Sequence, residues 1–344
     1  MKKYLCLLLV ALMLTGCRAS PPAETGGTTT QPTATTAPTV VTTAPTTAPT
    51  QPPEMHTVWF WTEKKVTNAD GGSVYKRTYD DKGNLLTDTF DSNDGKGGHG
   101  NSFTYDAAGK MLTHDTYDEY STGHAEFTYD DAGRKVAETF SNSAGYFATT
   151  EYIYREDGLL GEWLFHYDKT EDRTTYTYDD KGNLLKQQEI ITINGKRIQE
   201  ILVEYTYDAS GNKLSETNSG GFRSEWTYDD GGNVLSCTDM DNDGTIRNGV
   251  LYEYDDQNRL LLEYPFENDP KKPTEKFIYE YDEAGKLTVK YLCTPNSSRQ
   301  NASGFCRYTY DEQGNLLSEI TTKKDGTELS RIEYTYISME LPVE

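Results

Sequence analysis

Aromatic and polar residues alternate over short stretches that recur along most of the chain. In Tyr308-Thr309-Tyr310 two tyrosines flank a threonine, and most other copies keep the order aromatic, Thr, Tyr. Alternation with period two predicts a β-strand with one aromatic face and one polar face. The second tyrosine recurs every 21 to 29 residues, at Tyr79, Tyr105, Tyr129, Tyr154, Tyr178, Tyr207, Tyr228, Tyr254, Tyr281, Tyr310 and Tyr336. Recurrence at this spacing is typical of a repeat architecture.

A four-residue turn follows these strands. Asp311 to Gly314 matches a type I turn with Asp first and Gly fourth, and in a hairpin that Gly is left-handed and forms a small bulge. Of ten such turns, nine begin with Asp and nine have Gly in the fourth position. Asn258 replaces the missing Gly and Arg155 the missing Asp. Because Asn is the next residue best able to hold a left-handed conformation, the pattern favours a backbone requirement over a ligand site.

Each turn leads into a second strand and then into a looser connection such as Asn194-Gly195. The sequence therefore predicts an all-β fold of antiparallel β-hairpin repeats, about 22 strands in all, that form a curved or spiral sheet. The constant turns should line one edge and the variable loops the other. We expect the tyrosine columns on the concave, mostly covered side. Val58-Trp59-Phe60-Trp61 is expected to cover the exposed end of the stack.

The first 16 residues have the pattern of a signal peptide, with Lys2 and Lys3 ahead of an apolar run too short to cross a bilayer. Leu14-Thr15-Gly16-Cys17 resembles the lipobox of bacterial lipoproteins, in which the peptide is cut before the cysteine and the cysteine is lipidated. An ordinary secretory peptide with a chance cysteine is the alternative. We predict lipidation at Cys17 and an extracytoplasmic, surface-exposed protein anchored to the bacterial cell membrane.

Residues 17–56 form a Thr/Pro-rich segment that buries too little apolar surface to fold. We expect a disordered linker with a reach on the order of 100 Å. Residues 57–344 make up the repeat domain.

The Tyr-Asp-x-x-Gly-Asn-Leu unit resembles the YD repeat of the Rhs family, which includes bacterial toxins, wall-associated proteins and the animal teneurins. The resemblance covers about residues 75–336. It implies hairpins that spiral into a hollow β-shell, which in some members encloses a toxin domain. Because the chain is expected to carry no toxin domain after Leu341-Pro342-Val343-Glu344, a surface or wall-associated role is favoured over a toxin role.

The formal net charge is −22, which disfavours binding to phosphate backbones and argues against nucleic acid as a partner. The expected partners are the membrane, through the lipid, and a cell-wall or extracellular glycan or protein.

Two sites for a disulfide or a metal are candidates. Cys293 and Cys306 flank one loop and would face each other if their strands pair in the simplest register, so a disulfide is one prediction and two free thiols the other. Asp239, Asp241 and Asp243 match the opening of an EF-hand-type calcium loop. Val250 occupies the twelfth position, where that loop needs Glu, so a plain hairpin turn is favoured over weak calcium binding.

Catalytic motifs are missing: the five histidines form no His-Glu-x-x-His pair, and there is no Gly-x-Ser-x-Gly elbow. We therefore expect a non-enzymatic scaffold, adhesion or binding module without a cofactor. The main alternative is a glycan-binding protein that uses exposed aromatic residues such as Trp163 and Trp226, for which core packing is the competing interpretation. An orphaned fragment of a toxin system and an acidic-residue hydrolase are further alternatives.

Overall fold

The fold is a single antiparallel sheet of 22 strands, seen in a computed structural model that describes residues 55–69, 71–92 and 98–342. The number of strands and the hairpin repeat are as predicted. In chain order the strands are β1 (Met55–Asn68), β2 (Gly71–Tyr79), β3 (Leu85–Ser92), β4 (Gly98–Tyr105), β5 (Met111–Tyr117), β6 (Thr122–Tyr129), β7 (Lys135–Asn142), β8 (Phe147–Tyr154), β9 (Leu160–Tyr167), β10 (Thr170–Tyr178) and β11 (Leu184–Ile193).

The second half continues with β12 (Lys196–Tyr207), β13 (Lys213–Asn218), β14 (Phe222–Tyr228), β15 (Val234–Asp241), β16 (Ile246–Tyr254), β17 (Leu260–Glu267), β18 (Lys276–Tyr281), β19 (Leu287–Cys293), β20 (Gly304–Tyr310), β21 (Leu316–Lys323) and β22 (Glu328–Pro342). A 3₁₀ turn at Arg299–Asn301 is the one helical element of the described residues. In that part of the chain, no helix is long and apolar enough to cross a membrane.

The sheet closes on itself. Each strand pairs with its neighbours in sequence, and β22 returns to pair with β1 from Met55↔Pro342 to Asn68↔Ser330. The expectation that the Trp-rich first strand caps an open end is therefore wrong, because β1 is the strand that closes the ring. Phe60 instead packs against Tyr79, with ring centroids 4.8 Å apart and the rings tilted by 42°, and the guanidinium of Arg77 lies 3.9 Å above the ring of Trp61.

The Asp-x-x-Gly turns adopt the predicted geometry. In the turn that starts at Asp311, the N–H of Gly314 donates to the carbonyl of Asp311, and the N–H of Asp311 donates to the carbonyl of Asn315. The strand register shifts by one residue at Tyr310, which is the expected bulge. Gly314 has φ +96°, and Asn258, the substitute for Gly, has φ 60°.

The aspartate side chain holds the turn closed. Asp208 Oδ1 accepts the N–H groups of Ser210 and Asn212, and its Oδ2 accepts the side-chain amide of Asn212 at 2.8 Å. These bonds, that of the Asn212 amide first, lower the pKa of the Asp208 carboxyl. The carboxylates of the repeat are thus occupied in turn formation, and the structural interpretation of the motif holds.

Each motif tyrosine ties its hairpin to the preceding one. The hydroxyl of Tyr207 donates to the carbonyl of Leu184, the first residue of β11, at 2.9 Å. The ladder between β11 and β12 ends at Lys186↔Glu204, so this carbonyl lies beyond the last backbone pair. The same bond recurs at every motif tyrosine: Tyr79, Tyr105, Tyr129, Tyr154, Tyr178, Tyr207, Tyr228, Tyr254, Tyr281, Tyr310 and Tyr336.

The position after the turn Gly is Asn, Lys or Arg in nine of the ten turns. In five turns it is Asn, which bonds the turn aspartate as Asn212 does. In four it is Lys or Arg, and that cation lies 4.6–5.6 Å above the motif tyrosine of the next repeat, as Arg134 does over Tyr154. In the tenth turn the position is Leu159, and Arg155 supplies the cation over Tyr178 instead.

The two faces of the sheet differ in burial. The tyrosine face, which carries the motif tyrosines and the residues that alternate with them, holds most of the buried positions, including Val203 at 0% exposed. The opposite, threonine face carries hydroxyl pairs across strands, such as Thr206 with Ser215 at 2.7 Å and Thr227 with Ser236 at 2.6 Å. The tyrosine columns therefore lie on the more covered face, as expected.

Candidate functional site

The two predicted thiols do not meet. In the observed register Cys306 on β20 pairs with Lys290 on β19, three residues before Cys293. Three residues along a strand amount to about 10 Å and reverse the face, so the two side chains point to opposite sides of the sheet. Both cysteines are free, and the disulfide prediction is wrong because it assumed a different register.

The three aspartates of the predicted calcium loop have separate partners. Asp239 is buried and accepts the hydroxyl of Ser224 at 2.7 Å, while Asp241 pairs with Arg247. Asp243 accepts the N–H of Thr245 at 2.9 Å in a turn where Gly244 has φ +84°. This is the plain hairpin turn that the sequence favoured. Within the described ranges, no group of three or more His, Cys, Asp or Glu is placed to hold a metal ion.

Trp163 and Trp226, the proposed sugar-stacking residues, are half-buried on the tyrosine face. Trp163 stacks on Phe165 with the ring centroids 5.9 Å apart. The ammonium of Lys213 lies 4.1 Å above the ring of Trp226 and 2.9 Å from a carboxylate oxygen of Glu216. Packing therefore occupies both indoles. Cys17, the predicted lipidation site, lies outside the described residues.

The tyrosine face also holds a repeated cluster of Lys, Glu and aromatic rings. Lys290 lies 3.7 Å from Glu263 and over the rings of Phe277 and Tyr279, and the Tyr279 hydroxyl donates to Glu263. Burial and that carboxylate raise the pKa of Tyr279. Equivalent pairs join Lys135 to Glu138 and Lys213 to Glu216. Each charge has a close partner of opposite sign, so these clusters stabilise neighbouring hairpins.

One acid pair on this face lacks such a partner. Asp172 pairs with Ile191 and Thr174 with Glu189, so the carboxyls of Asp172 and Glu189 lie diagonally across β10 and β11. Burial and the neighbouring Glu189 raise the pKa of Asp172 to about 7, and burial also raises the pKa of Glu189. Asp172 Oδ1 is buried and accepts no hydrogen bond. Two close carboxyls with raised pKa values can share a proton, as in acid–base catalysis.

The other candidate lies on the threonine face, at the edge of the variable loops. An open pocket of ≈ 380 Å³ is formed by the ends of β5, β6 and β7, with Tyr117 and His124 among its lining residues. His124 Nδ1 lies 2.6 Å from Asp115 Oδ1 and its Nε2 lies 3.3 Å from Glu126 Oε1. The bonds to Asp115 and then Glu126 raise the pKa of His124.

Three exposed aromatic rings lie at this edge of the sheet, and one of them, Tyr117, lines the pocket. Tyr120 is 86% exposed, Phe147 59% and Tyr117 48%, and all three lie in or beside the variable loops. Sequence reasoning missed them because it looked for aromatics inside the strands. The available signal was that these three rings fall outside the repeat pattern, where packing with the tyrosine columns does not require them.

Comparison with known proteins gives distant similarities. No protein-family model matches the chain. The chain is 25% identical over 221 residues to the tRNA3(Ser)-specific nuclease WapA of Bacillus spizizenii and to the tRNA nuclease WapA of Bacillus subtilis. In each case the match covers 61% of this chain and 8% of the relative. The chain thus spans less than a tenth of the length of these nucleases, and the match supports an Rhs-like relationship.

Among solved structures, the TcdB2-TccC3 crystal structure matches with a TM-score of 0.43 and 17% identity, over 76% of this chain and 15% of that one. A porin-like protein from Bacteroides uniformis matches with a TM-score of 0.29 and 11% identity, over 80% of this chain and 98% of that one.

Proposed function

We propose that this protein is a non-enzymatic binding module of the bacterial cell surface, a rigid repeat scaffold that presents variable loops. The observation that carries the proposal is the difference between the two edges of the sheet. At one edge the turns repeat one geometry, and their aspartates and glycines are occupied in forming it. At the other edge the connections range from the two residues Asn194 and Gly195 to the segment 294–303.

Binding proteins commonly separate a rigid framework from loops of variable length that make the contacts. The exposed rings of Tyr117, Tyr120 and Phe147 lie at the variable edge, where they are accessible to a partner. Their exposure supports recognition at this edge rather than on the tyrosine face.

We also propose that a lipid anchors this protein to the cell membrane. The lipobox at Cys17 would tether the protein to the outer side of the membrane, and the Thr/Pro-rich segment would hold the sheet away from it. Cells that make the full chain should expose the repeat domain to added protease, and Cys17→Ser should release the protein into the medium. Protein that stays inside the cell, protected from protease, would contradict the proposal.

The absence of an enzymatic activity is tested separately, because the pair Asp172 and Glu189 offers an acid–base alternative. Purified protein and the Asp172→Asn variant are screened against wall and extracellular polysaccharides. The proposal predicts no released reducing ends with either protein. Hydrolysis by the wild type that Asp172→Asn abolishes would establish a hydrolase instead.

A second candidate is a part of a toxin system, which the 25% identity to the two WapA nucleases favours. The genes on either side of this one test it directly. A neighbouring toxin domain with its immunity protein would support this candidate, and neighbours of other kinds would favour the surface module.

A further inference from the structure

The last and first strands form a hairpin from which the turn is missing. Tyr336 pairs with Trp61, as each motif tyrosine pairs with the first residue of the strand after its turn. Where an Asp-x-x-Gly turn would follow, β22 and β1 instead continue as a two-stranded ribbon of residues 337–342 and 55–60. Its six residue pairs extend about 20 Å beyond the edge of constant turns.

Alternate residues of β1 in this ribbon direct their backbone groups away from β22. In each Asp-x-x-Gly hairpin the pair after the motif tyrosine is hydrogen-bonded, as in the turn at Asp311. Phe60 and Ile337 occupy the equivalent place in the ribbon, and bonded pairs alternate with unbonded pairs along an antiparallel ladder. The N–H and C=O groups of Thr57 and Trp59 therefore point to the outer edge of β1.

This outer edge has no neighbouring strand in the part of the chain that the structure describes. The pairing of β1 with β2 begins only at Glu63, and no backbone bond from a turn or loop reaches residues 55–61. Natural sheets protect such edges with charged residues, prolines or bulges. On the other side of the ribbon, β22 has Glu340 and Pro342 at its outward positions, but residues 55–61 contain no Asp, Glu, Lys, Arg or Pro. An unprotected edge of this kind can pair with a further strand.

The side chains and the charge of the protein indicate which strand would pair there. Trp59 is 38% exposed and Met55 47%, and both lie on the ribbon face opposite Phe60, whose ring packs against Tyr79. Aromatic residues across from β-branched residues stabilise strand pairing. The net charge of −22 repels a second copy of this chain and attracts a basic segment.

We propose that residues 55–61 of β1 bind an extended, basic segment of another protein as an additional strand. The backbone groups of Thr57 and Trp59 form hydrogen bonds with this strand, and the Trp59 ring covers a β-branched side chain across from it. The ribbon lies at the edge of constant turns, away from the variable loops. The inference therefore goes beyond the binding-module function, which concerns the opposite edge.

The probe is the fluorescein-labelled heptapeptide Lys-Val-Thr-Val-Thr-Val-Lys, and fluorescence polarisation measures its binding to the full chain. We expect it to bind more tightly than the same peptide with Glu at both ends. Thr57→Pro removes an outward N–H and should weaken the affinity about tenfold or more. Glu340→Pro is the matched control, because it makes the same change in the residue that pairs with Thr57, on the edge of β22, and should leave the affinity unchanged.

Hydrogen exchange shows where the peptide binds. The amides of Thr57 and Trp59 should exchange rapidly in the protein alone and slowly in the complex, because the added strand protects them. Absence of binding, or the same loss of affinity in Thr57→Pro and Glu340→Pro, would overturn the proposal. A dimer in analytical ultracentrifugation that Thr57→Pro dissociates would show that a second copy occupies the edge, and this too would overturn it.

Discussion

The hydroxyl of Tyr207 donates a hydrogen bond of 2.9 Å to the carbonyl oxygen of Leu184, one strand away and past the end of the backbone ladder. The same bond at all eleven motif tyrosines explains why the repeat requires Tyr at a position where Phe would fill the same space. The ring covers the tyrosine face, and the hydroxyl satisfies a carbonyl that the next hairpin does not reach.

Tyr207→Phe tests this role. The substitution keeps the ring and leaves the Leu184 carbonyl without its donor, so we expect a loss of about 1 kcal/mol in the free energy of unfolding. Urea denaturation measures it. Tyr120→Phe is the control, because Tyr120 is exposed in a loop and its loss of a hydroxyl should leave the midpoint unchanged. Equal midpoints for Tyr207→Phe and wild type would contradict the role.

At the position after the turn Gly, Asn and Arg should replace each other with only a small loss in the free energy of unfolding. Arg134 bonds Asp130 at 2.8 Å and covers the ring of Tyr154 at 4.6 Å. Arg134→Asn keeps a bond to the aspartate and loses the cation over the ring, which should cost about 0.5 kcal/mol. Arg134→Leu loses both contacts and should have a lower urea midpoint than Arg134→Asn. The reverse order would show that the aspartate contact contributes nothing.

Substitutions at the left-handed position of two turns should change the free energy of unfolding in opposite directions. Asn258 has φ 60°, so Asn258→Gly relieves backbone strain and should raise the free energy of unfolding by up to about 1 kcal/mol. Gly314→Ala adds a side chain at φ +96°, with its Cβ 2.8 Å from Lys286 Nζ, and should lower it by about 1 kcal/mol. Thermal unfolding of both variants is the measurement. If Asn258→Gly lowers the free energy of unfolding, the contacts of the Asn258 side chain stabilise the fold by more than the left-handed backbone destabilises it.

The pair Asp172 and Glu189 predicts a pH dependence of stability. Burial raises the pKa of Asp172 from an ordinary value of 3.8 to about 7, so the folded protein binds a proton that the unfolded chain releases between these values. The contribution of Asp172 to the free energy of unfolding is most favourable below about pH 4, where the carboxyl is protonated in both states. It becomes less favourable as the pH rises to about 7. Asp172→Asn removes the titration, so it should raise the melting temperature more at pH 8 than at pH 5. The same increase at both pH values would contradict the raised pKa.

The turns and strands could be predicted because their determinants are local. An Asp that accepts N–H groups two and four residues ahead, and a Gly that must be left-handed, lie within five residues of each other. The paired Tyr and Thr of each strand then fix which face is covered. These features follow from nearest neighbours along the chain.

The predictions that proved wrong concern which strands pair with each other and in which register. Closure of the sheet depends on β1 and β22, which lie at opposite ends of the described chain, and no local pattern encodes that pairing. The predicted disulfide between Cys293 and Cys306 does not form, because β19 and β20 pair in a register that places Cys306 opposite Lys290. The acid pair and the pocket beside Tyr117 likewise arise from residues on different strands, and their positions depend on that register.

Hydrogen exchange in β1 tests the closed sheet most directly. Residues 55–61 pair with β22 alone, because the pairing of β1 with β2 begins at Glu63. If the sheet closes, the amides of this segment that point toward β22 should exchange slowly, on the timescale of those in the central strand β12. Rapid exchange throughout residues 55–61, while β12 stays protected, would show an open sheet and contradict the closed fold.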